Sequence, residues 1–156
     1  MAGPRRRSRE IALQILVQMD VNPEMDAAKA LRLYFDHLAQ DGDLEPGEAQ
    51  APGFLSGAAF DRGFVDELVS GVAGHRAELD EIVQELSRNW RLERMALVER
   101  NVIRLALFEM KFASVVPTNV ALNEAIELAK RFGTSEGAAF VNGLLDRAAT
   151  ELQLRR

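Results

Sequence analysis

The 156-residue sequence has no cysteine, one tryptophan, one tyrosine and two histidines, and each scarcity removes a class of chemistry. Without cysteine there is no disulfide, no thiolate metal site and no cysteine nucleophile, a composition that suits a reducing cytoplasmic compartment. His37 and His75 each lack a second ligand-type residue at a metal-binding spacing, so a surface or helix-end place is read for both, and neither a metal nor another cofactor is expected. No apolar run approaches the roughly 18 residues of a membrane span. The stretch from Glu10 to Asp20 is broken by charges and amides, which argues against a signal peptide after the basic N-terminus. Phosphate-loop, dinucleotide, zinc-protease and nucleophile-elbow motifs are all missing, and Gly71 and Gly74 lack the strand context of a phosphate cradle. Acid pairs such as Asp80 with Glu81, or Glu124 with Glu127, read as solvated helix faces, with Glu127 four residues before Arg131. No catalytic activity is expected.

What is present begins with Arg5, Arg6, Arg7 and Arg9, four arginines in five positions at the head of a chain of formal charge −5. Without those four, 15 basic side chains face 24 acidic ones, a formal −9. Positive potential concentrated at one end of an anionic body is what a polyphosphate ligand needs, and nucleic acid is the ligand it suggests. Ala12, Ile15, Leu16 and Met19 then keep helical spacing, which predicts a first helix over 8–20 with Ser8 as N-cap and the arginines just upstream. The helix dipole disfavours positive charge at that end, so the cluster is not there to stabilise the helix.

Asn22, Pro23 and Asp26 announce a second helix ending near Gln40, with Ala28, Leu31, Phe35 and Leu38 as its apolar face. Residues 41–53 are rich in Gly, Pro and acid without periodicity and read as a surface loop. Phe60, Phe64, Leu68 and Val72 mark a third helix, and Leu79, Ile82, Val83 and Leu86 a fourth. After a break holding Trp90, the stretch containing Met95, Val98, Val102, Ile103, Ala106, Leu107 and Met110 predicts a helix apolar around most of its circumference, the buried centre of the fold. Pro117, Thr118 and Asn119 open a sixth helix that runs to about Phe132, with Gly133 as its C′ residue. A last helix, capped by Thr134 or Ser135, buries Phe140, Val141, Leu144, Leu145 and Ala148 and continues to about Leu152. Asn123 and Asn142 lie in alanine-rich apolar surroundings and read as buried amides tying the last two helices together. Seven helices and no strands make an all-α fold, divided into 1–75 and 76–156.

The segments carrying most information are 117–133 (PTNVALNEAIELAKRFG) with 140–146 (FVNGLLD), 99–106 (ERNVIRLA), and Arg6-Arg7-Ser8-Arg9-Glu10 leading into Ala12-Leu13-Gln14-Ile15-Leu16. In that order, and over nearly the whole chain apart from the acidic loop, they closely resemble the NusB family of bacterial transcription antitermination factors. The resemblance implies two abutting helical bundles. It also implies an adaptor that binds boxA RNA together with the ribosomal protein NusE and helps assemble an antitermination complex on RNA polymerase, notably during ribosomal RNA synthesis. In such proteins the RNA surface combines the N-terminal arginines with the region opening the last helix. Arg5, Arg6, Arg7, Arg9 and Gln14 are the implied RNA contacts on the first side, and Glu136 and Phe140 on the second. Phe140 would pack against a base, although it also fits the apolar stripe of its helix, and Glu136 is equally a first-turn acid favoured by the dipole. Val17 and Glu99 are the implied NusE contacts. Val17 stands where the family commonly has an aromatic residue, which removes area and a hydroxyl from that surface.

Two other readings compete. A NusB-like domain also heads RNA cytosine-5 methyltransferases, but such an enzyme needs a cofactor domain and a cysteine nucleophile, which leaves only a detached targeting domain. A helical homo-oligomer, in the simplest case a homodimer, is the third reading.

Overall fold

The computed structural model describes residues 3–40, 60–113 and 116–152, with the side chains of residues 38–40 excepted. The acidic loop at 41–53 lies outside the described residues, as does the side chain of Leu38. Among the described residues there are seven α-helices and no strand: α1 (Pro4–Val21), α2 (Ala27–Gln40), α3 (Arg62–Gly74), α4 (Arg76–Leu86), α5 (Leu97–Phe108), α6 (Thr118–Phe132) and α7 (Ser135–Glu151). They fall into two compact units, Met1–Ala73 and Gly74–Arg156.

In the first unit, α1 starts four residues earlier than its apolar periodicity suggests. Gly3 is the N-cap and Pro4 occupies the first helical turn, where a fixed φ is already suitable and the missing N–H would have had no helical partner. The arginines therefore lie inside the helix rather than ahead of it. Ser8 is buried within that helix, not at its cap. Its hydroxyl donates to the carbonyl of Pro4 (2.7 Å) and accepts from the N–H of Asp61 (2.8 Å), tying the first turns of α1 to the start of α3. Asp61 in turn caps α3 by accepting from the N–H of Phe64 at 3.1 Å. Asp26 does the same for α2, accepting from the N–H of Lys29 at 2.8 Å. The buried face of α2 is Ala30, Leu31 and Phe35; Ala28 is exposed, one helical step off the predicted stripe. Phe60 precedes α3 and stacks on Phe35 at 5.8 Å between centroids.

In the second unit α5 is the central element, contacting α4, α6 and α7. Nine of its twelve residues are buried, including Glu99, Asn101 and Arg104, so the helix is enclosed on nearly every side as its composition suggests. Polar groups buried in this way need partners. Arg104 provides a bidentate pair to Asp80 on α4, with Nε 2.7 Å from Oδ1 and Nη2 3.2 Å from Oδ2, and its Nη1 donates to Asn101 Oδ1 at 3.1 Å. Asp80 is thus an internal partner of α5 rather than part of a solvated acidic face. Asn101 completes the network by donating to the carbonyl of Leu97 at 2.8 Å. The amides expected to be buried, Asn123 and Asn142, are both exposed; the buried amide is Asn101. The helix continues into a π-helical turn over Glu109–Ala113. The pairing of α6 with α7 is the most extensive in the unit, and Ala121, Ala125, Ala129, Ala138, Ala148 and Ala149 are buried while Ala139 is exposed.

Candidate nucleic-acid interface

The first-turn residues of α1 include no acid, and Arg5, Arg6 and Arg7 lie at the positive end of the helix dipole. Arg5 is exposed and Arg6 and Arg7 are half-buried. Arg9 differs from these three: it is 4% exposed. Its guanidinium lies over the ring of Phe64 on α3, 5.2 Å from the centroid, and that of Arg5 lies over the same ring at 4.4 Å. Phe64, itself buried, therefore has two of the four cations over its ring.

Gln14 lies seven residues after Arg7, on the same face of α1 two turns on. It is half-buried, and its Oε1 accepts from the hydroxyl of Tyr34 on α2 at 3.0 Å. Both line a cavity of about 420 Å³ between α1 and α2, with Ile15, Met25 and Leu33. Burial pushes the Tyr34 hydroxyl up to about 12, so it remains a donor across the whole working pH range. Val17 is half-buried on the same helix.

On the second unit, Glu99 belongs to the first turn of α5 but is only 5% exposed. Its Oε1 lies 3.4 Å from the N–H of Thr134, directly under the start of α7, where a carboxylate is favoured by the dipole. Thr134 caps α7 by accepting from the N–H of Gly137 at 2.8 Å. A Cβ added to Gly133 would sit 2.5 Å from Glu99 Oε1 and 2.9 Å from the carbonyl oxygen of Ala129; one added to Gly137 would sit 2.0 Å from the same Oε1. Gly133 has φ −112°, so the left-handed geometry usual for a C′ glycine is not what requires it. The approach of the Glu99 side chain is.

Glu136 is exposed in the first turn of α7, and Phe140 stands four residues later, half-buried beside the core face of Ala138, Val141, Leu144 and Leu145 rather than in it. Its ring meets Trp90 at 5.7 Å with 38° between planes. Trp90 is 54% exposed. The sequence placed Trp90 in a helix break without giving it a role; the available signal was its isolation, a large aromatic in a turn between Arg88 and Arg91.

These features define an all-helical protein whose candidate ligand-facing groups are guanidinium cations and open aromatic rings, the groups that hold single-stranded nucleic acid. No group of side chains suited to a metal ion occurs among the described residues, and no helix among them is long and apolar enough to cross a membrane. Residues 6–150 match the NusB family, and the chain belongs to it. The transcription antitermination protein NusB of Myxococcus xanthus is 41% identical over 150 residues, which cover 96% of this chain and 97% of that one. A structure of NusB from T. maritima aligns with a TM-score of 0.73 at 29% identity, covering 97% of this chain and 94% of that chain. A structure of antitermination factors NusB and NusE in complex with dsRNA aligns with a TM-score of 0.68 over 91% of this chain and 92% of that chain, and at 21% identity it speaks for the fold.

Proposed function

We propose that this protein is a cytoplasmic, RNA-binding transcription antitermination factor that recognises a boxA-type single strand together with NusE and joins the antitermination complex on RNA polymerase. The observation that carries the reading is the placement of Arg5, Arg6 and Arg7 in the first turns of α1, in a family of antitermination proteins and on an otherwise acidic chain. Phosphates are drawn to that cluster of positive charge at the N-terminal end of α1, and the backbone N–H groups of the first turn point the same way. Glu136 and Phe140 supply the second set of RNA contacts, Phe140 by offering a ring that the core does not enclose. Arg9 supports the site by packing on Phe64. Gln14, engaged by Tyr34, presents its amide nitrogen to RNA while its oxygen is held.

The test is binding of labelled boxA-type RNA as a function of salt, alone and with purified NusE. Replacing Arg5, Arg6 and Arg7 together by alanine lowers the log–log salt slope by about 2, taking roughly 0.7 per phosphate contacted on a single strand. An unchanged slope places the phosphates elsewhere, and NusE that fails to tighten RNA binding removes the adaptor role. Exposed Val21 and Leu33 on α1 and α2 favour a second mode, self-association into a homodimer. Light scattering with and without RNA decides whether the two states compete.

A further inference from the structure

We propose that the open face of the Trp90 indole, beside the cleft that Trp90 and Phe140 line, is a nucleobase site on which one unpaired base of the bound RNA stacks. The proposal rests on the RNA-binding reading above and extends it to a residue with no role so far.

Three observations carry it. The first is that Trp90 is exposed although its backbone is held. Its N–H donates to the carbonyl of Ser87 at 2.8 Å, and its own carbonyl accepts from Gln84 Nε2 at 3.1 Å and from Ser87 Oγ at 3.2 Å. Gln84 also accepts from the N–H of Leu92 at 3.1 Å, and Arg147 on α7 donates to the carbonyl of Leu86 at 2.6 Å. A turn fixed on both sides holds the Trp90 backbone where the indole is exposed. The backbone of the turn is ordered before a ligand arrives, which lowers the cost of binding.

The second observation is geometric. The Trp90 and Phe140 rings form a wedge, 5.7 Å apart and inclined by 38°, and both line a cavity of about 740 Å³. Sliding a base between them would need about 7 Å, twice the roughly 3.5 Å contact distance of carbon atoms. The base therefore lies on the outer face of Trp90 and not between the two rings. Phe140 is one turn from Glu136 on α7, which makes the cleft continuous with the RNA contacts already assigned there.

Charge is the third. The cleft is lined by Arg88 and Arg147 against Glu85 and Glu151, so its charges balance, and Arg147 is already engaged with a backbone carbonyl. A balanced rim suits a flat, neutral, hydrogen-bonding group better than a phosphate. Asn89, exposed beside Trp90, offers both a donor and acceptors to the edge of such a group. The assignment divides the labour between the two units: arginines on α1 supply salt-dependent affinity, and the cleft supplies salt-independent affinity.

Trp90 is the chain's only tryptophan, so intrinsic emission reports this position alone. Titrating a boxA-type single strand into the protein should quench that emission over the same concentrations at which the anisotropy of labelled RNA rises. Trp90→Ala should weaken RNA binding roughly 5- to 150-fold, the range spanned by loss of one stacked base, with the salt slope unchanged. Trp90→Phe should restore most of the affinity. Anisotropy that rises without quenching, together with Trp90→Ala binding as the wild type does, overturns the base site and leaves the RNA-binding reading standing. Quenching by NusE in the absence of RNA makes the cleft a protein-binding surface and overturns the proposal as well. If no RNA binds to the wild-type protein with or without NusE, both readings fall.

Discussion

Gly137→Ala places a methyl group where the Glu99 side chain already is. The added carbon would lie 2.0 Å from Oε1, 2.6 Å from Cδ and 2.8 Å from Cγ of Glu99. Three atoms of one side chain are within distances that real contacts do not show, so rotating a single terminal oxygen away does not relieve the overlap. Glu99 is 5% exposed, and moving it also removes the carboxylate from the N–H of Thr134. Overpacking of this kind costs about 1–3 kcal/mol. Against that stands the better helix propensity of alanine, up to about 1 kcal/mol and less within the first turn. The net expectation is a loss of about 1–2 kcal/mol, or a Tm lowered by about 2–8 °C for a chain of this length. Urea denaturation followed by Trp90 emission reads the second unit specifically, because that unit contains the tryptophan. The decisive measurement is the same substitution on a Glu99→Ala background. With the obstructing side chain removed, Gly137→Ala should become neutral or mildly stabilising, a coupling of about 1–3 kcal/mol between residues 38 positions apart in sequence. Equal costs on both backgrounds would refute the packing argument.

Further expectations follow from the polar groups of each unit. Arg104→Ala leaves Asp80 and Asn101 without their shared partner inside α4 and α5, and urea denaturation should show a loss towards the lower end of the 3–5 kcal/mol typical of a broken buried pair, since Asp80 keeps some access to water. Tyr34, the only tyrosine, should titrate spectrophotometrically at about 12 in the folded protein against 10.0 in the unfolded chain. Because the folded value is the higher one, its contribution to stability is complete below pH 10 and disappears as pH rises towards about 12; a midpoint at 10.0 would show the hydroxyl is not buried. The arginines should separate by role: Arg7→Ala lowers the salt slope of RNA binding by roughly 0.7 with little change in stability, whereas Arg9→Ala destabilises the first unit by about 1–2 kcal/mol through lost packing on Phe64 and leaves the slope nearly intact.

How far the sequence discloses this protein depends on whether a signal is local. The apolar stripe of α4 is complete in a few turns of chain, and its buried residues coincide with the periodicity, whereas α5 also buries Glu99, Asn101 and Arg104, which no apolar pattern marks. The start of α1 offered two local signals, Pro4 as a first helical residue and Ser8 as a cap. The contact that decides between them is with Asp61, far along the chain, which turns Ser8 inward. Asn123 and Asn142 look buried because their neighbours are apolar, yet each lies on the outer side of its helix; composition around a residue does not give its angle on the helix. The glycines at 133 and 137 are the clearest limit. Their necessity comes from Glu99, which no spacing within 117–146 reveals.

That same long-range contact bears on the partner surface. Glu99 is an implied NusE contact, but a side chain that is 5% exposed offers a partner little to touch. Its larger effect is on α7, whose first turn it underlies and whose next turn carries Phe140 against Trp90. Glu99→Ala should therefore change the Trp90 emission of the isolated protein, with neither RNA nor NusE present, by loosening the seat of α7. Glu99→Gln keeps the shape and the acceptor at Thr134 and should leave the emission near that of the wild type while removing only the charge. If both variants lose NusE binding equally and the emission is unchanged in each, Glu99 meets NusE directly through its carboxylate. If Glu99→Ala alone shifts the emission and weakens both NusE and RNA binding, the residue acts by positioning α7, and one buried carboxylate sets the geometry on which both ligands depend.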